Sequence, residues 1–186
     1  AVYGIVRKND AVYGIVRKNL AITDPANPSL TIPVGQQSSK GLELSASIRA
    51  SKALLVQGNY GYTDAQYDDF LESVAGVAVS RAGNRPTGVP VHVSNAWLTY
   101  TGIPKWTATV DVRGVTGRYA NNANTISAPG YSLLGASVSR EIAKGATLVG
   151  RVRNLTDKVY AAAITSTPMF FLGAPRTFDL SLRLAF

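Results

Sequence analysis

The clearest pattern in the chain is a strict alternation of apolar and polar positions in its last stretch, residues 177–186. Apolar residues occupy every even position of this stretch, which reads TFDLSLRLAF, and polar or small residues occupy every odd one. A period of two over this length predicts a β-strand with one apolar face and one polar face. Such a strand fits a soluble β-sandwich as well as a membrane barrel, so the rest of the chain decides between them.

The same alternation recurs upstream and predicts about eight antiparallel strands of roughly ten residues each. The predicted strands lie at 11–18, 41–50, 54–63, 93–100, 106–114, 134–139, 147–153 and 177–186. Tight turns at 51–52, 102–104 and 142–145 join some of these strands, whereas connections such as 64–90 and 156–175 are long. Short turns at one end of a sheet and long loops at the other are typical of up-and-down outer-membrane barrels.

The residues on the predicted apolar faces favour a membrane barrel. Many are small, such as Gly58, Ala108 and Gly114, and would pack a poor core between two sheets, whereas lipid adapts to any apolar surface. Aromatic residues lie at the predicted strand ends, where a membrane girdle would place them: Tyr60, Tyr62, Tyr100 and Trp106. No apolar run reaches the ~18 residues of a membrane helix, so a membrane would be crossed by strands. The predicted fold class is therefore all-β, an antiparallel up-and-down transmembrane β-barrel.

Composition limits the chemistry. The chain of 186 residues carries a formal net charge of +8 and no cysteine, which leaves no disulfide framework and no thiolate metal site. Its basic residues are scattered singly rather than gathered in a stripe, so we expect no nucleic-acid partner. His92 and Ser94, two apart on a strand, lack a clear orienting acid for an esterase. With no Gly-rich phosphate loop and no Cys/His metal set, we expect neither an enzyme nor a cofactor or resident metal.

Several short segments resemble, in the same order, the C-terminal part of the barrel of TonB-dependent outer-membrane receptors, and most of all ferric-siderophore receptors. They are RKN at 17–19, TDP at 23–25, SKGLEL at 39–44, YGYTDA at 60–65, GNRPTGVP at 83–90, RNLTDKVY at 153–160 and GAPRT at 173–177. The resemblance implies a 22-stranded barrel in the outer membrane of a Gram-negative bacterium that takes up a ferric siderophore. A small autonomous outer-membrane barrel with a structural, adhesive or passive-pore role is the alternative.

The resemblance covers only the C-terminal barrel region of such a receptor, to which we assign the whole chain, 1–186. It implies a plug domain that we do not expect here, through which the receptor contacts the inner-membrane TonB complex. The eight strands therefore either close as a small barrel or need the missing strands, because open edges are costly in lipid. Residues 1–9 recur unchanged as 11–19. This repeat predicts either a hairpin that turns at Asn9-Asp10 or a duplication, 1–10, of which one copy is needed.

Eight charged residues are expected on the polar faces of the strands, which border the lumen in a barrel. They are Glu43, Arg49, Asp111, Arg113, Arg151, Arg153, Asp179 and Arg183. We expect Arg151, Arg153 and Arg183 to pair with acidic neighbours in a structural ladder. Contact with the plug or with an anionic ligand is the alternative for these arginines.

Aromatic residues in the long loops are the candidate ligand contacts, because siderophores present aromatic or apolar surface together with polar groups. Phe170 and Phe171 are adjacent in the last loop, and Tyr119 and Tyr131 flank another. Packing between loops is the alternative for these side chains. The terminal Phe186 resembles the signal read by the barrel-assembly machinery. We therefore expect this machinery and outer-membrane lipid as further partners.

Overall fold

The computed structural model describes residues 5–24, 27, 29–165 and 169–185, and its regular elements are all strands. In chain order they are β1 (Ile5–Thr23), β2 (Thr31–Arg49), β3 (Leu54–Asp69), β4 (Leu71–Val74), β5 (Val77–Ser80), β6 (His92–Tyr100), β7 (Trp106–Val115), β8 (Arg118–Tyr119), β9 (Ser127–Ala128), β10 (Tyr131–Ala143), β11 (Ala146–Arg153), β12 (Ala161–Ile164), β13 (Phe170–Leu172) and β14 (Thr177–Leu184). Within these residues, no helix is long and apolar enough to cross a membrane. The predicted all-β class is confirmed.

Eight of the strands form one antiparallel sheet in the order β1-β2-β3-β6-β7-β10-β11-β14. Neighbours in this sheet follow one another along the chain, so the topology is up-and-down, as predicted. The other strands form three hairpins in the long connections: β4 with β5, β8 with β9, and β12 with β13. No pairing joins β1 to β14 in the described part of the chain, so the sheet is open. The alternative in which these strands close as a small barrel is therefore wrong for this chain.

The register of the sheet places the apolar positions of neighbouring strands side by side. One cross-strand row runs through Ile48, Val56, Leu98, Val110, Ala136, Val152 and Phe178. Because the side-chain period of a strand is two, this alignment collects the apolar side chains on one face and the polar ones on the other. The apolar side chains stay exposed, up to 83% at Val12. Such exposure is expected of a face that meets lipid rather than a second sheet.

The strands extend further toward the long loops than the sequence predicts. β3 continues past its predicted end at Thr63 to Asp69, and β2 begins at Thr31. Beyond the apolar band both faces of the ladder are polar, so the period of two fades while the backbone hydrogen bonds continue. Tyr60 and Tyr62 therefore lie at the border of the apolar band but in the middle of β3, and their predicted position at a strand end is wrong.

The three predicted tight turns are confirmed, at 50–53, 101–105 and 144–145. Gly145 has a φ of 76°, in the left-handed region that favours glycine. A Cβ at this position would lie 2.7 Å from the carbonyl oxygen of Ala185. Glycine therefore allows the turn between β10 and β11 to pass close to the backbone that follows β14.

The repeated segment forms one continuous strand. Asn9 and Asp10 lie within β1, opposite Ser45 and Leu44, so the chain does not turn there and the predicted hairpin is wrong. In this strand Lys8 lies opposite Ala46 and Asp10 lies opposite Leu44. This register places Lys8 and Asp10 on the apolar face, where they form an ion pair of 2.8 Å.

The small buried core lies at the long-loop end of the sheet. Its buried apolar side chains are Ala65, Tyr67, Val115, Ala120 and Ala128, and two polar side chains, Arg118 and Asn154, are also buried. Both faces of the sheet are largely exposed, so packing concentrates where the long connections meet. Loops held on a rigid scaffold are common places for binding sites.

Candidate functional site

The long connections are tied to one another by asparagine side chains that bond to backbone. The side chain of Asn124 accepts a hydrogen bond from the N–H of Arg85 (2.8 Å) and donates one to the carbonyl oxygen of the same residue (2.8 Å). The amide of Asn84 donates to the carbonyl oxygen of Asn122 (2.7 Å). Asn124 has a φ of 57°, a left-handed conformation that asparagine adopts more readily than most residues. The connection after β3 and the connection after β7 therefore form one bonded unit.

Tyr67, near the end of β3, supports this unit. Its side chain is 7% exposed, its hydroxyl donates to Oδ1 of Asn122 (2.9 Å), and its ring stacks on Phe70 with 4.4 Å between centroids. Burial raises the pKa of the Tyr67 phenol. The amide nitrogen of Asn122 donates to Glu72 (3.1 Å), which also pairs with Arg81 (2.6 Å). The β4–β5 hairpin is thereby held against the connection after β7.

The acidic residues near the end of β3 have separate partners. Asp64 pairs with Arg85 (3.2 Å) and with Lys40 (3.5 Å). Asp68 accepts a hydrogen bond from the Ser38 hydroxyl (2.7 Å), which lowers the pKa of that carboxyl. No group of three or more His, Cys, Asp or Glu side chains that could hold a metal occurs among the described residues. These carboxylates brace β2, β3 and the loop between β5 and β6.

Arg118 is buried, only 8% exposed, although it carries a charge. Its guanidinium donates to the carbonyl oxygens of Ala161 (2.5 Å) and Ala162 (3.3 Å) in β12. It also lies over the ring of Tyr131, 5.8 Å from the centroid. No sequence pattern marks this arginine, because its partners are backbone atoms 43 and 44 residues away. These contacts tie the connection after β7 to the connection after β11.

Tyr131 packs inside the same cluster. Its ring centroid lies 4.5 Å from that of Tyr160. The Tyr160 ring covers Gly173 so closely that any side chain at Gly173 would collide with it. The N–H of Gly173 also donates to the carbonyl oxygen of Tyr160 (2.9 Å). The base of the β12–β13 hairpin is therefore fixed against the start of β10.

Phe170 and Phe171 lie in β13, the second strand of the β12–β13 hairpin. They are 42% and 52% exposed, so packing against the described loops leaves much of both rings free. Because consecutive strand residues point to opposite faces, only one of the two can face a given ligand. Tyr119 lies in β8, and its carbonyl oxygen accepts a hydrogen bond from the N–H of Gly88 (2.9 Å). All four predicted aromatic residues lie at the long-loop end, and their contact with a ligand stays a prediction.

The eight charged residues predicted for the polar face all lie opposite the apolar side chains in the register of the sheet. Arg153 pairs with Asp179 (3.3 Å), and Arg113 donates to the amide oxygen of Asn95 (3.4 Å). Within the described residues no other ion pair joins members of this set, so the expected ladder is reduced to one pair. That these eight charged residues face a lumen stays a prediction. Phe186, the predicted assembly signal, lies outside the described residues.

His92 is part of an aromatic cluster on the apolar face. Its Nδ1 lies 2.7 Å from the hydroxyl oxygen of Tyr60, and a hydrogen bond joins the two. Its ring stacks on Tyr60 with 5.8 Å between centroids and lies 5.4 Å from the ring of Tyr62. Rings with polar tips at the border of an apolar band are typical of a membrane interface.

An open antiparallel sheet with an exposed apolar face, short turns at one end and bonded long loops at the other defines this chain as part of an outer-membrane β-barrel. Residues 10–155 match the family described as TonB dependent receptor-like, beta-barrel. The chain belongs to this family, which confirms the resemblance seen in the sequence. Its location is the outer membrane.

Curated relatives agree with this assignment. The chain is 30% identical to the ferrioxamine receptor of Yersinia enterocolitica over 152 residues, which make up 78% of this chain and 20% of that receptor. It is 29% identical to the ferrichrome outer membrane transporter/phage receptor of Escherichia coli (strain K12), over 95% of this chain and 22% of that protein. The chain thus spans about a fifth of the length of these relatives.

Solved structures share the fold. The siderophore receptor PiuA from Acinetobacter baumannii superposes with a TM-score of 0.83 at 20% identity, over 95% of this chain and 26% of that one. The ferric-catecholate import receptor Fiu from K12 E. coli superposes with a TM-score of 0.73 at 19% identity, over 96% of this chain and 25% of that one. At this identity the likeness establishes the architecture alone.

Proposed function

We propose that the chain is the C-terminal barrel region of a receptor that takes up a ferric siderophore across the outer membrane, with energy from the inner-membrane TonB complex. The match of residues 10–155 to the barrel of this family carries the proposal. Relatives named as ferrioxamine and ferrichrome proteins support a ferric siderophore as the cargo. The function is transport without a catalytic step.

The open edges of the sheet indicate how the rest of the receptor is arranged. Unpaired backbone groups are costly in lipid, so further strands of a 22-stranded barrel pair with β1 and β14. A plug domain outside this chain fills the lumen and contacts the TonB complex. The polar face, with its arginines and acids, borders that lumen. Lipid covers the apolar face, and the barrel-assembly machinery reads Phe186.

The ligand enters at the long-loop end. There the loops are bonded to one another through Arg85, Arg118 and Asn124, which gives a preformed surface rather than separate flexible loops. One ring of Phe170 or Phe171 contacts the ferric siderophore, because exposed aromatic surface beside fixed polar groups suits a ligand that has both kinds of surface.

The test uses the complete receptor in a Gram-negative host that lacks its own siderophore receptors. Uptake of radiolabelled iron as ferrioxamine B and as ferrichrome is measured with and without functional TonB. We expect uptake above the receptor-free background only when TonB is functional. Equal uptake without TonB would favour a passive pore, and failure to bind either compound or a ferric catecholate would contradict the proposed cargo.

A further inference from the structure

The apolar face of the sheet is interrupted near the long-loop end by a polar depression of about 600 Å³. Its floor is one cross-strand row in which Ser94 of β6, Gly114 of β7 and Ser132 of β10 are direct neighbours. His92, Thr116 and Lys158 also line the depression. Of the four aromatic ligand-contact candidates, Tyr131 lines the depression, whereas Phe170, Phe171 and Tyr119 do not.

Two serine hydroxyls converge over the glycine in this row. A Cβ at Gly114 would lie 2.8 Å from Oγ of Ser94 and 4.0 Å from Oγ of Ser132. Neither hydroxyl has a hydrogen-bond partner among the residues that the structure describes. A hydroxyl that meets hydrocarbon without such a partner is costly. Two such hydroxyls side by side on a lipid-facing surface therefore indicate that a polar group of the membrane lies next to Ser94 and Ser132.

Lys158 brings a positive charge to the same depression. Its backbone is held by the buried side chain of Asn154, which accepts a hydrogen bond from the Lys158 N–H (2.8 Å) and donates to its carbonyl oxygen (2.9 Å). The Lys158 side chain is exposed and forms no ion pair with a described acidic residue. An ammonium group and two hydroxyls are a set of donors that fits a phosphate group.

The depression lies at the height of a membrane surface. His92 belongs to the ring cluster with Tyr60 and Tyr62, and aromatic belts of this kind mark the border between hydrocarbon and headgroups. The three floor strands are central in the sheet, with β3 and β11 on either side. Strands that extend the sheet beyond β1 or β14 therefore cannot cover the depression.

We propose that this depression binds the phosphate group of a membrane phospholipid, with Lys158, Ser94 and Ser132 as its donors. The bound headgroup satisfies the two free hydroxyls and neutralises the lysine. Because Asn154 fixes Lys158 at the start of the last long loop, the lipid also holds that loop at the membrane surface. The proposal does not depend on which cargo the receptor transports.

The test uses the complete receptor, delipidated in a non-ionic detergent, and native mass spectrometry. Phosphatidylglycerol is the probe, and diacylglycerol with the same acyl chains is the control without phosphate. We expect Lys158→Gln and the double variant Ser94→Ala/Ser132→Ala each to weaken phosphatidylglycerol binding about tenfold, the effect of losing a charge-assisted hydrogen bond. Lys105→Gln, in a tight turn at the other end of the sheet, is the matched control and should bind as the wild type does.

Lys158→Arg, which keeps the charge, should retain the lipid, and heat-modifiable migration on a gel checks that each variant is folded. Equal binding by the wild type, Lys158→Gln and the double serine variant would overturn the proposal, as would equal retention of diacylglycerol. Weakening by Lys105→Gln to the same extent would show general charge attraction instead of a site. Displacement of the lipid by an equal concentration of inorganic phosphate would show that the site takes a free anion and would overturn the lipid assignment.

Discussion

The guanidinium of Arg118 lies over the ring of Tyr131 and donates hydrogen bonds to two carbonyl oxygens of β12. This pair stands where the connection after β7 meets the connection after β11. A buried cation needs acceptors that compensate the loss of water, and here carbonyl oxygens and the negative face of an aromatic ring supply part of that compensation, while Nε of Arg118 has no hydrogen-bond partner among the described residues. The β12–β13 hairpin is thus held through its backbone, while the side chains of β13 remain exposed.

Replacing Arg118 with methionine in the complete receptor should loosen this hairpin. Methionine keeps much of the apolar length but donates no hydrogen bond, so the carbonyl groups of Ala161 and Ala162 lose their partner. The expected local cost is about 1–3 kcal/mol. Hydrogen–deuterium exchange and limited proteolysis on intact cells should both become faster within residues 154–176.

Arg140→Met is the matched control. Arg140 also lies over an aromatic ring, that of Trp106 at 5.1 Å, but at the short-turn end of the sheet. Its replacement should leave exchange in 154–176 unchanged. The anchoring role of Arg118 would be contradicted by unchanged exchange in Arg118→Met or by the same increase in both variants.

Single alanine substitutions at Phe170 and Phe171 should have unequal effects on siderophore affinity. The two rings point to opposite faces of β13, so only one of them can meet the ligand. Replacing that ring with alanine should reduce the binding free energy by about 1–2 kcal/mol, which lowers the siderophore affinity about 5- to 30-fold. The other substitution should be nearly neutral. Binding of the ferric siderophore to cells that express the complete receptor measures the difference. Val159→Ala, an exposed apolar residue of the same loop, is the control, and equal affinities for all variants would exclude a ligand contact by either ring.

The sheet could be predicted from the sequence because each strand that meets lipid alternates visibly, as Phe178, Leu180 and Leu182 do. The signal ends where both faces become polar, and for this reason the extension of β3 to Asp69 was not predictable. The bonded loops were not predictable either. Arg118 bonds to backbone carbonyl groups far along the chain, so neither its spacing nor its residue type distinguishes it from a solvated arginine.

The Tyr67 phenol should make the bonded loops sensitive to alkaline pH. Burial raises the pKa of Tyr67 above its ordinary value of 10.0, so folding favours the neutral phenol. The resulting stabilisation is complete below the unfolded pKa and is lost as the pH rises through the folded pKa. The phenolate absorbance of the wild type minus that of Tyr67→Phe should therefore have a midpoint above about 10. A midpoint at or below this value would show that the phenol is not buried in solution.

Gly41 and Gly61 offer a matched pair of positions on the polar face. A Cβ at Gly41 would lie 2.5 Å from the ring and hydroxyl of Tyr13 and would collide with the carbonyl oxygen of Tyr62, whereas a Cβ at Gly61 meets nothing within 4 Å. The Tyr13 hydroxyl is in turn bonded to the hydroxyl of Thr63 (2.8 Å), so the ring cannot move aside without losing that contact. Gly41→Ala should therefore weaken the pairing of β1 with β2 by about 1–3 kcal/mol, and Gly61→Ala should not. The temperature at which the complete receptor loses its compact migration on a gel should fall only for Gly41→Ala, and an equal fall for both variants would show that Tyr13 does not occupy this space.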